Sequence, residues 1–323
     1  METKLHAVSI GFALGVPHAV ERLTNGLLHA SYKVATQEGI FVLQRLHPVF
    51  DTRVNNDYQR VQRYLRTNGI FVPLLLQSVN GPSFLHEGEI WRAFEYIPHD
   101  AVTMPTPVLA REAGCLLGRF HLCMDAMDFR PSFKIEGYRD TPAFLVRLHA
   151  LMRSPSHALK RSAARKAYEF IAANIERHYL SPSSRQTLIH GDPKLDNFLF
   201  RDNKAIALLD LDTMMRAPLL LDLGDALRSW CRIKPSTARF REDIFTAALE
   251  GYRSANPFTY SDDEVKSAMG LITLELATRY LIDYFEESYF TLKKEKYESL
   301  AEQNLTRCYR YIDYYKNFMG IFL

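Results

Sequence analysis

The chain carries a carboxylate, an amide and a second carboxylate close together in residues 188–212, LIHGDPKLDNFLFRDNKAIALLDLD. Asp192 follows an apolar segment, Asn197 comes five residues later, and Asp210 ends the next apolar strand, which begins after a short polar turn. Carboxylate and amide oxygens are ligands that Mg²⁺ takes, and a loop aspartate can accept the proton of an attacking hydroxyl. The spacing therefore predicts a phosphoryl-transfer site, with Asp192 facing the acceptor hydroxyl and Asn197 and Asp210 holding Mg²⁺. A β-hairpin with polar turns is the alternative interpretation.

Polar residues beside these three have predicted supporting roles. His190 is expected to brace the loop through hydrogen bonds, and Lys194 either neutralises charge on the transferring phosphoryl group or is simply exposed. Asp212 either supports the metal through water or bonds the loop backbone as an Asx turn. Asp222 lies at the start of a predicted helix, where it could serve as the N-cap.

The predicted elements fall into two parts that meet at a proline-containing stretch, residues 97–107. Before it, short strands alternate with Asn-Gly and Gly-Pro turns and are interrupted by one helix. After it, helical periodicity dominates, apart from a hairpin over 187–212. We therefore predict an α+β, two-lobed protein, with a small antiparallel sheet in residues 1–97 and a larger helical part in residues 98–323. The strands are predicted at 20–23, 31–36, 40–46 and 90–96, and the helices at 54–67, 108–127, 142–153, 157–179, 220–232, 240–255, 262–287 and 297–318.

The composition is typical of a globular enzyme rather than of a nucleic-acid-binding or membrane protein. The 323 residues can form one large or two ordinary domains, and a formal net charge of +3 is too small to indicate nucleic-acid binding. No apolar run approaches the roughly 18 residues that a membrane span requires. The four cysteines lack metal-binding spacing and indicate reduced thiols, so we predict a cytoplasmic protein, monomeric or homodimeric. An apolar patch over residues 8–16 is expected to form a first helix or strand.

The motif HGDPKLDNFLF followed by LLDLD resembles the aminoglycoside phosphotransferase and choline kinase-like superfamily, the small-molecule branch of the protein-kinase fold. Further motifs resemble the N-acetylhexosamine 1-kinases, which phosphorylate a sugar at its anomeric hydroxyl: FVLQRL (41–46), WRAFEYI (91–97), LLDLDTMMRAPLLLDLGDALR (208–228) and LELATRYLIDYF (274–285). The resemblance spans about residues 20–320. It implies a protein-kinase-like fold, ATP and Mg²⁺ as cofactors, and a small polar acceptor, a sugar first. It also implies that Asp222 holds the catalytic loop through backbone N–H groups.

The resemblance implies a position for the nucleotide as well. Asn25 and Gly26 stand between two strand signals, where a kinase places the loop that covers the phosphates, although an Asn-Gly pair is also an ordinary hairpin turn. Glu95, Tyr96 and Ile97 end a strand that is either a plain edge strand or the strand leading into the hinge between the lobes. The resemblance favours the hinge, with backbone groups of these three residues paired with adenine.

One position in FVLQRL departs from the general kinase pattern. Gln44 stands where kinases usually carry the strand lysine that contacts the phosphates and pairs with a helix glutamate. The following helix has no glutamate, so we predict that neutral amides replace the ion pair, with Gln59 as the first-choice partner of Gln44. Arg45 should point to the opposite face of the strand. The resembling anomeric kinases also tend to have glutamine here, and a nucleotide-binding pseudokinase is the competing interpretation.

The acceptor site is predicted in the helix over residues 262–287. Glu275, Arg279 and Asp283 recur every four residues. They form either a solvated ladder of ion pairs or a polar stripe that faces the cleft and binds sugar hydroxyls. In the resembling kinases an arginine and a tyrosine from this region contact the sugar. Arg279 matches the arginine by motif, and Tyr289 matches the tyrosine if the chain is one residue shorter there.

Other acceptors stay open at this point. Choline would need an aromatic cage, which nearby tyrosines could supply, and an aminoglycoside would need an acidic surface; homoserine is a further possibility. The resembling sugar kinases tend to carry a histidine after the glycine of their nucleotide loop, where this chain has Leu27. His29, two residues on, could take its place.

Overall fold

The N-terminal part of the chain folds as a five-stranded antiparallel sheet with strand order β1-β2-β3-β5-β4. The computed structural model describes residues 2–23, 28–233, 239–258 and 260–320, so the predicted loop residues Asn25 and Gly26 lie outside the described residues. The predicted strands are confirmed to within one residue at most ends. The strands are β1 Ala19–Leu23, β2 Ala30–Thr36, β3 Gly39–Arg45, β4 Phe84–His86 and β5 Glu89–Glu95.

Side chains alternate between the two faces of this sheet, as the pleat of a strand requires. One face carries Tyr32, Leu43 and Trp91, which are buried and pack in one cluster with Leu5 and Val8 of the first helix, α1 (Glu2–Gly11). The first part of the predicted apolar patch, residues 8–11, therefore belongs to a helix that covers the back of the sheet, whereas residues 12–16 lie beyond its end.

The opposite face of the sheet is turned toward the C-terminal part. Strand register places Ser31, Gln44 and Arg92 side by side across β2, β3 and β5. The second helix, α2 (Arg53–Thr67), packs on this side, where the Tyr58 ring lies 5.2 Å from the ring of Phe94. The helix predicted over 54–67 is confirmed.

The C-terminal part is mainly helical. Its helices are α3 Pro107–Asp125, α4 Thr141–Arg153, α5 Ala158–Asn174, α6 Leu219–Trp230, α7 Glu242–Ala255, α8 Asp262–Glu286 and α9 Leu300–Phe318. Helix α8 packs against α4, α5, α6 and α9, which explains why most of its surface is buried. The sequence patterns located these helices to within three residues, except that α5 ends five residues early, at Asn174, before a short 3₁₀ turn. Among the described residues no helix is long and apolar enough to cross a membrane.

The segment predicted as one hairpin over 187–212 is instead two separate ladders, so that prediction was wrong in its pairing. β7 (Phe198–Arg201) pairs with β8 (Lys204–Leu208) through a tight turn, whereas β6 (Gln186–Ile189) pairs with β9 (Met215–Pro218). The turn residues Asp202 and Asn203 both have positive φ, which is the conformation of a type I′ hairpin turn. Because β6 and β9 are neighbours, the loop after β6 lies beside the loop before β9.

A buried histidine in this helical part makes the fold sensitive to acid. His178 is 4% exposed, with its ring nitrogens 2.9 Å from Ser267 Oγ and 2.8 Å from the Tyr315 hydroxyl. Burial, together with Arg177, lowers the pKa of His178 to about 4. The unfolded chain binds a proton near pH 6.5 and the folded chain only near pH 4, so stability falls as the pH is lowered through this window.

We expect His178→Gln to remove this sensitivity, because glutamine keeps polar contacts and does not titrate. Between pH 6.5 and pH 4 the wild-type protein should lose about 3 kcal/mol more unfolding free energy than the variant. Denaturant unfolding at a series of pH values measures the difference. Parallel pH profiles for the two proteins would show that His178 is not the sensitive group.

Candidate active site

A buried carboxylate of α6 holds the loop that follows β6. Asp222 is 1% exposed, and its two oxygens accept hydrogen bonds from the backbone N–H groups of His190 (2.7 Å) and Gly191 (2.8 Å). The loop-holding role implied for Asp222 is confirmed. The N-cap interpretation is wrong, because Asp222 lies inside the first turn of α6 and the capping position is Pro218. The loop is thereby fixed to the helical core.

His190 joins this catalytic loop to the loop after β8. Its Nε2 lies 2.8 Å from the carbonyl oxygen of Leu209, so Nε2 carries the hydrogen, and Nδ1 accepts from the backbone N–H of Asp192 at 3.3 Å. The ring is fully buried, so it cannot contact a substrate that accepts the phosphoryl group. The predicted bracing role fits these contacts, and His190 is a positioning residue.

Two residues that were not predicted as site residues support the same loop. The Tyr138 hydroxyl and the Arg139 guanidinium both donate to the carbonyl oxygen of Gly191, each at 2.9 Å. Gly191 itself has φ +86°, and a Cβ there would lie 2.3 Å from the carbonyl oxygen of Thr213. Arg139 also pairs with the buried Asp225. No periodicity or motif marks Tyr138 and Arg139, since their partners lie more than fifty residues away.

The predicted base and the predicted cation lie in contact at the open side of the loop. Lys194 Nζ is 2.7 Å from Asp192 Oδ2, and the side chains are 19% and 29% exposed. Burial alone would lower the pKa of Lys194, but Asp192 and Asp210 outweigh it and raise that pKa above its ordinary value. Lys194 is therefore a charged group within the site, and the interpretation of a simply exposed lysine is wrong.

Asn197 and Asp210 fit the requirements of a divalent cation. Asn197 Nδ2 donates to the carbonyl oxygen of Asp192 at 2.7 Å, which leaves its amide oxygen as the ligand atom. Asp210 is half-buried in a left-handed conformation (φ +60°), and its carboxylate accepts no hydrogen bond from the residues that the structure describes. Burial first and the neighbouring Asp212 second raise the pKa of Asp210. An uncompensated carboxylate beside a second carboxylate is an environment that a cation stabilises.

The second of these carboxylates is neutralised by the protein. Asp212 is 4% exposed and forms a two-armed ion pair with Arg92, one arm being 2.8 Å from NH1 to Oδ1. His29 Nε2 lies 2.9 Å from the same carboxylate, so His29 faces the loop between β8 and β9 (residues 209–214, the metal loop) rather than the predicted acceptor side. Burial would raise the pKa of Asp212, but Arg92 outweighs it and holds this pKa well below its ordinary value. The Asx-turn interpretation is wrong.

The predicted Gln44–Gln59 pair is also wrong. Gln44 Nε2 donates to Ser31 Oγ at 2.9 Å, and Gln44 Oε1 accepts from Arg92 Nε at 2.7 Å. The charged neighbour on β5 is a stronger partner for the amide than a second amide on α2. Arg45 lies on the opposite face, as expected, where it pairs with Glu89 at 2.6 Å.

At the predicted hinge, the backbone N–H groups of two of the three proposed residues are already bonded within the protein. The backbone N–H of Glu95 donates to Leu74 O at 3.0 Å, and that of Tyr96 donates to Ile40 O at 3.3 Å. These two N–H groups therefore cannot donate to a base as well, whereas pairing of adenine with the carbonyl oxygens of this segment stays a prediction. Ile97 is left as the predicted residue whose N–H meets no acceptor in the described part of the chain.

Two members of the predicted acceptor stripe on α8 are structural. Glu275 and Asp283 are each 1% exposed. Glu275 accepts from Thr141 Oγ1 at 2.5 Å and lies 3.3 Å from Arg139, whereas Asp283 accepts three backbone N–H groups of residues 288–290 and the Asn304 amide. Both the substrate-contact prediction and the solvated-ladder interpretation are therefore wrong for these two residues. Neighbouring helices cover this part of α8, which an i,i+4 pattern cannot reveal.

The remaining stripe residue, Arg279, does meet the predicted tyrosine, Tyr289, at the surface. Arg279 NH2 donates to the Tyr289 hydroxyl at 2.8 Å, and the guanidinium lies 5.1 Å from the centre of the Tyr289 ring. Tyr289 is 61% exposed. The spacing that left the match uncertain in the sequence is thus compatible with a close pair.

Comparison with known proteins identifies the class to which this fold and site belong. The chain matches the phosphotransferase enzyme family over residues 19–258, about three quarters of its length, and it belongs to that family. It is an ATP-dependent small-molecule kinase that transfers a phosphoryl group to an alcohol acceptor. Among curated relatives, it is 23% identical over 293 residues to a homoserine kinase of Caulobacter vibrioides (strain NA1000 / CB15N), covering 87% of this chain and 86% of the relative.

Solved structures support the same protein-kinase-like fold. An aminopropanol kinase associated with a microcompartment aligns with a TM-score of 0.69 at 15% identity, covering 98% of this chain and 97% of that one. An amicoumacin kinase in complex with AMP-PNP, Ca²⁺ and Ami aligns with a TM-score of 0.65 at 20% identity, covering 92% and 88%. A choline/ethanolamine kinase family protein from Mesorhizobium loti aligns with a TM-score of 0.61 at 16% identity, covering 99% of both chains. The superfamily part of the resemblance is confirmed, and the N-acetylhexosamine branch stays a prediction.

Proposed function

We propose that this kinase uses Mg²⁺-ATP to phosphorylate a small hydroxylated acceptor that carries no net positive charge and lies beside Arg279. The observation that supports the proposal best is the contact of Asp192 with Lys194 at the open side of a loop that is otherwise fully braced. Nucleotide would bind between residues 1–97 and residues 98–323, with the adenine near Ile97. The expectation that Asn25 and Gly26 cover the phosphates is part of this proposal.

In the proposed mechanism, the protein acts mainly by positioning the reacting groups and by neutralising charge. Asp192 orients the acceptor hydroxyl and takes its proton, while Lys194 leaves Asp192 to neutralise charge on the transferring group. Asn197 and Asp210 would hold Mg²⁺, which neutralises negative charge on phosphate oxygens when it is bound. His190 keeps the catalytic and metal loops at a fixed separation through its two ring nitrogens.

The charges near Arg279 favour an acceptor with a carboxylate over a cationic one. Glu275 and Asp283 are buried and bonded inside the protein, and Asp192 is paired with Lys194. A cationic acceptor such as choline or an aminoglycoside would therefore meet Arg279 with neither Glu275 nor Asp283 free to offset the positive charge. A hydroxy amino acid would present its carboxylate to Arg279, and a homoserine kinase is among the curated relatives that this chain resembles.

A sugar is the second candidate, and the exposed Tyr289 ring favours it. Sugar binding combines directed hydrogen bonds with an aromatic surface, and Arg279 and Tyr289 offer both within 2.8 Å of each other. An N-acetylhexosamine phosphorylated at its anomeric hydroxyl is the sugar that the sequence motifs imply.

A screen of ATP consumption tests the proposal. Homoserine, hexoses, N-acetylhexosamines, choline and kanamycin are each offered with Mg²⁺, and reactions without acceptor serve as blanks. We expect turnover with homoserine or an N-acetylhexosamine. Choline or kanamycin as the best acceptor would contradict the charge argument, and the lack of Mg²⁺-dependent turnover with every acceptor would favour a nucleotide-binding pseudokinase.

With the accepted substrate, Arg279→Ala should raise the acceptor KM about 10- to 100-fold, because it removes a charge-assisted contact made equally in the ground and transition states. Turnover at saturating acceptor and the KM for ATP should change little. Arg165→Ala, an exposed arginine of α5 paired only with Glu169, is the matched control. Unchanged acceptor kinetics in Arg279→Ala would place the acceptor elsewhere.

A further inference from the structure

The position of the missing β3 lysine is occupied by an amide that serves an arginine on the next strand. Gln44 and Arg92 are direct partners in the β3–β5 register, on the face of the sheet turned toward the metal loop. Gln44 donates to Ser31 and accepts from Arg92, which a lysine could not do. The residue types at positions 44 and 92 are therefore coupled, because Arg92 needs an acceptor at position 44 and glutamine supplies one.

All five N–H donors of Arg92 are used. Nε and one NH2 donor bond Gln44 Oε1, the second NH2 donor bonds Asp212 Oδ2, and NH1 bonds Asn55 Oδ1 at 3.2 Å and Asp212 Oδ1 at 2.8 Å. The side chain is 2% exposed. A guanidinium with no remaining donor cannot bind phosphate without breaking these bonds, so Arg92 acts through Asp212.

Because of this ion pair, the neighbouring carboxylates of Asp210 and Asp212 have different roles. His29, Asp210 and Asp212 each bring a ligand atom within 4.8 Å of the other two. Arg92 and His29 engage Asp212, whereas no described residue donates a hydrogen bond to the Asp210 carboxylate. The ion pair thus cancels one of the two negative charges and leaves Asp210 to face a cation.

We infer that Arg92 performs from β5 the positioning role that a β3 lysine performs in other kinases, by holding the turn from Asp210 to Asp212 across the cleft. The inference rests on the proposed Mg²⁺-ATP site. In place of a lysine paired with a helix glutamate, this chain has an arginine that donates hydrogen bonds to Asn55 of α2, Gln44 of β3 and Asp212 of the metal loop. Compared with those kinases, the positively charged side chain lies on β5 instead of on the neighbouring β3. Its carboxylate partner lies in residues 98–323 instead of on a helix of the N-terminal part.

The test uses variants that separate position from folding. Arg92→Gln alone leaves Asp212 buried and unpaired, so the double variant R92Q/D212N, which removes both charges, is the informative one. We expect it to unfold at a temperature close to that of the wild type. The factor by which Mg²⁺ raises the affinity for AMP-PNP should be at least about tenfold smaller in this variant than in the wild type. Its kcat should fall about 100-fold, which is the size of loss that misplaced reacting groups cause. Calorimetric titration with and without Mg²⁺ gives the affinity without turnover.

Two further variants complete the test. Arg45→Gln, one residue along from Gln44 on the opposite face of β3, should leave Mg²⁺-dependent AMP-PNP affinity unchanged. The swap Q44K/R92Q, which returns the cation to β3, should recover part of the affinity lost in Arg92→Gln. If R92Q/D212N binds Mg²⁺-AMP-PNP and turns over like the wild type, or if the swap recovers nothing, the inference is wrong. If the wild type itself shows no Mg²⁺-dependent affinity, the proposed function fails first.

Discussion

Asp192→Asn is expected to lower kcat by about 10³-fold while the affinity for AMP-PNP changes little. A general base contributes roughly 10²–10⁴ to the rate, and asparagine keeps the shape of the side chain but cannot take the proton of the acceptor hydroxyl. The loop itself should persist, because Asp222, His190 and Tyr138 hold its backbone without using the Asp192 carboxylate. Steady-state kinetics with the acceptor found in the screen, together with calorimetric nucleotide binding, measure both quantities.

The same substitution at an exposed position serves as the control. Asp202→Asn lies in the β7–β8 turn, where positive φ also suits asparagine, and it should leave kcat unchanged. A near-normal rate in Asp192→Asn would exclude Asp192 as the base.

Asp210→Asn is expected to have two effects of opposite sign. Activity should fall by about 10²–10³, since the only carboxylate proposed to hold Mg²⁺ is lost, an effect comparable to that of removing one electrostatic group at a reaction centre. In the presence of a chelator, however, the variant should unfold at a higher temperature than the wild type. The Asp210 carboxylate lies beside Asp212 without a hydrogen-bond donor, so removing its charge relieves repulsion in the metal-free fold.

Asp212→Asn is the matched comparison, two residues along the same loop. It strands Arg92 with a buried, partly unpaired charge, so it should destabilise the fold by about 3–5 kcal/mol. Thermal unfolding with a chelator and with excess Mg²⁺ distinguishes the two variants. If both substitutions shift the unfolding temperature in the same direction, the assignment of one bound and one free carboxylate is wrong.

The core of the candidate site could be predicted from sequence because its chemistry is contained in one short stretch. Asp192, Lys194, Asn197 and Asp210 lie within nineteen positions, and a loop, a hairpin and a turn suffice to place them. Helix boundaries were predictable for a similar reason, since apolar periodicity and caps are local signals. Asp222 could be assigned only through resemblance, because its bonds to the loop span about thirty residues.

The residues that could not be predicted act over long separations or depend on which helix face is covered. Arg92 is 120 positions from Asp212, and an arginine on a strand gives no sign of such a partner. Glu275 and Asp283 show the second difficulty. The i,i+4 spacing of charged residues is the same whether neighbouring helices leave the face in water or bury it, and here helices and loops cover both residues.

The anchoring of the catalytic loop by the pairing of β6 with β9 has a consequence for how such an enzyme would open and close. Asp192 follows β6 of the β6–β9 ladder, and Asn197 and Asp210 flank the β7–β8 hairpin, so all three lie in residues 98–323, whereas Arg92 reaches Asp212 from residues 1–97. If residues 1–97 move away from residues 98–323 to release product, the spacing among Asp192, Asn197 and Asp210 stays the same, and the contacts of Arg92 and His29 with Asp212 are among those that break. Closure would then restore the contacts of Arg92 and His29 with Asp212 without rearranging Asp192, Asn197 and Asp210.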